Sequence, residues 1–196
     1  MEAGKEPYRQ VLTHSNRQHN HSTWQKIRHS LDKTANYLPK ILKGDEAVLD
    51  LGCGTGFYCN LLKEYATSLY CIDLDKAAVE AAKKSLKDKG ENVFFIVGEA
   101  SKIPLKDASL DVIFMANFFH DVEDKRSTYR EILRVLDSSG RVIIIDWKKM
   151  LTPWGPPLSI RMSEDEYLQH FRDFKVIMRF QPSFDHYGIV LQKSNK

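Results

Sequence analysis

Val48-Leu49-Asp50-Leu51-Gly52-Cys53-Gly54-Thr55-Gly56 is the stretch that decides the fold. An apolar run carrying one acid breaks into three glycines at alternate positions. Gly52, Gly54 and Gly56, with Cys53 between the first two, permit a tight turn and let a ligand approach the backbone closely. The amphipathic stretch that follows predicts a helix over 57–66, whose start would offer unpaired N–H groups to an anionic group. Asp50 stands two residues before the first glycine. A second acid, Asp73, closes the next apolar run, where a carboxylate can accept hydrogen bonds from both hydroxyls of a ribose. The spacing also argues against a nicotinamide dinucleotide. That fingerprint places its third glycine one position later, where this chain has Phe57, and a bulky side chain there obstructs the pyrophosphate turn.

On both sides of this junction, short apolar runs alternate with amphipathic stretches. Ala47–Leu51, Ser68–Ile72, Val93–Val97, Leu110–Ala116 and Val142–Ile145 read as buried strands, and 57–66, 76–88 and 122–136 as helices. Gly90 and Gly140 stand where helix ends favour a residue free to take positive φ. Strand–helix alternation with continuous apolar strands predicts a parallel sheet covered on both faces. Near the C-terminus, Ser163-Glu-Asp-Glu166 has the form of a capping box opening a helix to Phe171. Lys175–Phe180 and Tyr187–Gln192, joined by Gln181–Asp185, read as an antiparallel hairpin at the sheet edge.

Residues 1–21 are polar with little periodicity and read as a loose arm. Ser22-Thr-Trp-Gln25 predicts a helix start, continued by Trp24, Ile27, Leu31 and Leu38 and closed by Pro39. The expected organisation is an arm and helix over 1–40, a candidate cover for the site, and one domain over 41–196. His14, His19, His21 and His29 in the arm match no common metal spacing, so no metal is expected.

A net charge of +3 with scattered basic residues gives no polyanion footprint, and no nucleic-acid partner is expected. Lys83, Lys84, Lys87 and Lys89 fall at a predicted helix end, where cations complement the terminus. Cys53, Cys59 and Cys71 read as reduced thiols, and no apolar run reaches the ~20 residues of a membrane span. A cytoplasmic protein is the expectation.

Five parallel strands closed by a hairpin, with Asp-x-Gly-x-Gly-x-Gly at the first turn, resemble the class I S-adenosylmethionine-dependent methyltransferases. The implied fold is α/β and Rossmann-like, a mostly parallel seven-stranded sheet with a C-terminal antiparallel hairpin and helices on both faces. Residues 45–150 are most similar to the group related to ubiquinone and menaquinone biosynthesis, through Ile103-Pro-Leu, Leu110-Asp-Val-Ile-Phe, His120-Asp-Val-Glu-Asp and Glu131-Ile-Leu-Arg-Val-Leu. The resemblance implies S-adenosylmethionine as cofactor and S-adenosylhomocysteine as product. It implies that Glu99 accepts from the adenine amine, the Ala100 N–H donates to a ring nitrogen, and backbone groups of Ala116 and Asn117 border the methionine half. Leu74 and Ile103 are candidates for the faces around the ring.

The quinone enzymes carry a cap between the fifth strand and the hairpin, where this chain has the short, Pro-rich 147–162. Asn117-Phe-Phe-His lacks the prolines of the adenine and glutamine methylases. A small, apolar or aromatic acceptor is therefore expected. His120 is the candidate general base, because imidazole titrates near neutrality. Trp24 and Trp147 are candidate pocket walls, and Arg161 a candidate partner for an anionic acceptor. Two alternatives stay open: a non-catalytic S-adenosylmethionine-binding regulatory module, and an NAD-dependent oxidoreductase.

Overall fold

The computed structural model describes residues 31–86, 91–152 and 154–194. The chain divides after Asp32, and Lys33–Lys196 form one unit. The predicted helix start at Ser22, Trp24, the arm histidines, Lys87, Lys89 and Gly90 lie outside the described residues. A 3-10 turn at Thr34–Asn36 leads into α1 (Leu38–Ile41), with Pro39 in its first turn. Pro39 therefore opens a short helix instead of closing a long one, as suits a residue lacking a backbone N–H.

Seven strands follow: β1 (Glu46–Leu51), β2 (Ala66–Asp73), β3 (Val93–Val97), β4 (Leu110–Ala116), β5 (Leu136–Trp147), β6 (Phe174–Phe180) and β7 (His186–Lys193). Their order is β3-β2-β1-β4-β5-β7-β6. The first five are parallel, and β7 runs antiparallel between β5 and β6. This is the α/β sheet expected. The order reverses between β1 and β4, so the crevice beyond their carboxyl ends is the natural ligand position.

Helices α2 (Cys59–Leu62), α3 (Lys76–Ser85), α4 (Lys125–Val135) and α5 (Glu164–His170) complete the described set. The helix expected over 57–66 is only one α-turn followed by a 3-10 turn at Lys63–Tyr65. Helix α5 has the predicted capping box. The Ser163 N–H donates to Glu166 Oε2 at 2.6 Å, and the Glu166 N–H to Ser163 Oγ at 3.3 Å. Gly140 does not end a helix: α4 stops at Val135, and Gly140 lies inside β5 without positive φ. A Cβ there would sit 2.5 Å from Leu136 Cγ, so crowding accounts for the glycine.

Alternate residues of the central strands feed two cores, one on each face. Ile113, Met115, Val142 and Ile144 join Ile132, Val135, Tyr167 and Phe171 from α4 and the α5 end. Val112, Phe114, Ile143 and Ile145 join Leu38, Ile41, Cys59 and Leu62 from α1 and α2. A sheet buried on both faces explains the continuous apolar strands.

Candidate functional site

Beyond β1 the chain turns on Gly52, Gly54 and Gly56, at φ of +79°, +53° and +84°. The N–H groups of Gly52 and Cys53 donate to the Ile72 carbonyl at 2.8 and 3.0 Å, tying the loop to β2. The Gly54 N–H donates to Asp73 Oδ2 at 2.8 Å, and the Asp75 N–H to Asp73 Oδ1 at 2.9 Å. Asp73 is thus fixed by the glycine loop on one side and by the start of α3 on the other. Gly56 has a packing reason: its Cβ would lie 2.9 Å from Ala82 Cβ on α3.

A cavity of about 480 Å³ opens beside this loop, within the range of roughly 300–1,000 Å³ usual for small-molecule sites. Gly52, Asp73, Leu74, Glu99 and Ala100 all line it. Leu74 is 68% exposed, an apolar side chain displayed at the cavity instead of in the core. Ile103 belongs to the core. Asp50 is buried and accepts from Cys59 Sγ at 3.3 Å, so its carboxylate braces the loop from below. The Cys53 thiol is buried and donates to the Gly54 carbonyl at 3.7 Å. Hydrogen bonding to Cys53, burial and the neighbouring Asp50 push the Cys59 thiol up, which keeps it protonated.

Phe118, Asp121, Val122 and Thr128 also line the cavity, and of these sequence reasoning missed Val122 and Thr128. The signal available was their position after β4 at the reversal of strand order. Phe118 reaches back across that gap: a Cβ on Gly52 would lie 2.1 Å from its Cδ2. The bend comes from Asn117, whose φ of +51° is left-handed.

Past Asn117, His120 is buried between two carboxylates. Its Nδ1 is 2.9 Å from Asp146 Oδ2 and its Nε2 is 3.4 Å from Asp121 Oδ2. The buried Tyr167 hydroxyl donates to the same Asp146 oxygen, and the Trp147 N–H donates to the other at 2.7 Å. Burial lowers the His120 pKa, but Asp121 and Asp146 outweigh it and raise the group to about 9. At neutral pH the ring carries its proton and has no lone pair to act as a base. The geometry makes His120 a buried cation holding β5, α5 and the post-β4 turn together.

Arg161 also differs from its expected role. Nε donates to Pro156 O at 2.9 Å, Nη1 to Lys148 O and Met150 O at 3.3 and 2.8 Å, and Nη2 to Thr152 Oγ1 and Trp154 O at 2.6 and 2.9 Å. All five guanidinium N–H groups are committed to one loop, leaving none for an anionic acceptor. Its guanidinium also lies over Trp147, 4.9 Å from the ring centroid. Trp147 in turn packs on His186, with centroids 4.1 Å apart, at the carboxyl end of β5. Among the described residues no three His, Cys, Asp or Glu side chains group as a metal site, and no helix is long and apolar enough to cross a membrane.

Comparison with known proteins agrees with this architecture. The family model described as a methyltransferase domain matches residues 49–144. A demethylmenaquinone methyltransferase of Thermotoga maritima is 44% identical over 103 residues, covering 52% of this chain and 43% of that protein. The chain spans about half the length of the curated relatives it matches. A type 11 methyltransferase structure from Sulfolobus solfataricus is 42% identical with a TM-score of 0.77, covering 85% of this chain and 95% of the other. A SAM-dependent methyltransferase from Aquifex aeolicus is 29% identical with a TM-score of 0.78, covering 88% and 97%. With its glycine turn, its acid at the end of β2 and its sheet order, the chain belongs to the type 11 family of class I S-adenosylmethionine-dependent methyltransferases.

Proposed function

We propose that this protein methylates a small apolar or aromatic acceptor with S-adenosylmethionine. The observation that carries the reading is the Asp73 carboxylate, bound to the Gly54 N–H at the edge of the 480 Å³ cavity. A carboxylate so fixed suits the two ribose hydroxyls. Glu99, Ala100 and Leu74 supply an acceptor, a backbone donor and an apolar face for adenine. The backbone of Ala116 and Asn117, at the end of β4, borders the methionine half.

When bound, the cofactor supplies a methyl group already activated on a sulfonium, so the protein's task is alignment and exclusion of water. Gly52, turned beneath Phe118, gives a close backbone surface at the reversal of strand order. The side chains near the ends of β5 and β7 are largely aromatic: Trp147, Trp154, Phe184 and Tyr187. They support a planar or apolar acceptor over a charged one, the more so because Arg161 is committed elsewhere. His120 takes part as a cation that fixes the turn, and no obligatory base is assigned to it.

The test is transfer of labelled methyl from S-adenosylmethionine into a host extract, then separated into organic, aqueous, protein and nucleic-acid fractions. Label in a small-molecule fraction, lost with Asp73→Ala, is expected. Label confined to protein or nucleic acid would make the acceptor class wrong. Tight cofactor binding without any transfer would favour the regulatory module.

A further inference from the structure

Asn117 is one of two non-glycine residues with positive φ among those described, and its side chain does not face the cavity. It meets His186: Asn117 Oδ1 and His186 Nε2 are 3.0 Å apart. His186 Nδ1 is 2.9 Å from Asp185 Oδ1 and 3.0 Å from Ser183 Oγ. Asp185 is itself anchored, since its Oδ2 accepts from Trp154 Nε1 at 2.7 Å. Burial raises the Asp185 carboxyl, but Ser183, Trp154 and His186 overcome it and hold the group at about 2. A row of hydrogen bonds therefore runs from the loop after β5, through the β6–β7 turn, to the left-handed residue that throws Phe118 over Gly52.

We propose that His186, oriented by Asp185, is a positioning residue for cofactor binding, acting through Asn117. It rests on the cofactor reading given above. Asparagine enters the left-handed region more readily than most L-residues but is not confined to it, and two restraints hold Asn117 there. Its N–H donates to Ile145 O at 2.8 Å, and its side chain pairs with His186. Removing the second lets Asn117 relax, moves Phe118 off Gly52 and disturbs the wall of the cavity. The residue that pins the cofactor side thus sits beside Trp147, on the side assigned to the acceptor.

Two substitutions separate this from a merely structural role. His186→Gln keeps a polar group near the Nε2 position and therefore the reach to Asn117. His186→Asn retains one near Nδ1, on the Asp185 side, and loses that reach. Affinity for S-adenosylhomocysteine, measured by calorimetry on the full chain, is expected to stay within about threefold of wild type for His186→Gln and to weaken about tenfold for His186→Asn. Adding Asn117→Gly to His186→Asn should restore most of the loss, because glycine takes positive φ without a restraint. Unchanged affinity in His186→Asn, or no recovery with Asn117→Gly, would overturn the proposal. Absence of binding by the wild-type protein would instead overturn the cofactor reading.

Discussion

Gly52 and Phe118 occupy one another's space. A methyl group at position 52 would need φ of +79° and would stand 2.1 Å from the Phe118 ring. Gly52→Ala is expected to cost about 1–3 kcal/mol of unfolding free energy, measured in urea. Adding Phe118→Ala should recover the part due to the clash and leave the part due to φ. His120 makes a second prediction. Its folded pKa, about 9, is raised above the ordinary 6.5, so its contribution is complete below about pH 6.5. It is lost as pH rises through 9. The full difference is about 3 kcal/mol as an upper bound. Urea midpoints should fall across that range in wild type, and Asp146→Asn should flatten the slope while lowering stability throughout.

Among the elements, the loop between β5 and α5 depends most on one side chain. Arg161 binds carbonyls at Lys148, Met150, Trp154 and Pro156. Arg161→Lys, with three donors and no planar fork, should raise hydrogen exchange across 148–160 by an order of magnitude or more, while cofactor affinity changes little. The sequence could not announce this role, because an arginine after Pro156-Pro157 reads the same whether it faces a ligand or its own loop. His120 was ambiguous for a like reason: Asp146 and Tyr167, 26 and 21 positions from their partners, give no local signal. What sequence did show was local in origin. Alternate glycines, Asp73 closing an apolar run, and the Ser163–Glu166 box each carry their reason within a few residues. The short helix after Gly56 was overread, since apolar spacing over 57–66 fits both an α-helix and successive tight turns. Asn117 was placed by resemblance, but its bend depends on His186, 69 positions away.

For the whole molecule, cofactor binding at the sheet's carboxyl edge should couple to global stability. At about 100 times its dissociation constant, S-adenosylhomocysteine should stabilise the fold by about 2.7 kcal/mol. Asp73→Ala at the same ligand concentration should forfeit most of that gain, seen as a smaller shift in Tm. The sheet order also bears on how the chain emerges from the ribosome. β7 is made last of the seven strands, yet it lies between β5 and β6. Until it arrives, β5 has a bare edge and β6 has no neighbour to pair with. His186 opens that same strand. A nascent chain halted before it would hold the glycine turn and Asp73 but not the hydrogen bond that pins Asn117, so full affinity is reached only when the last strand slides into place.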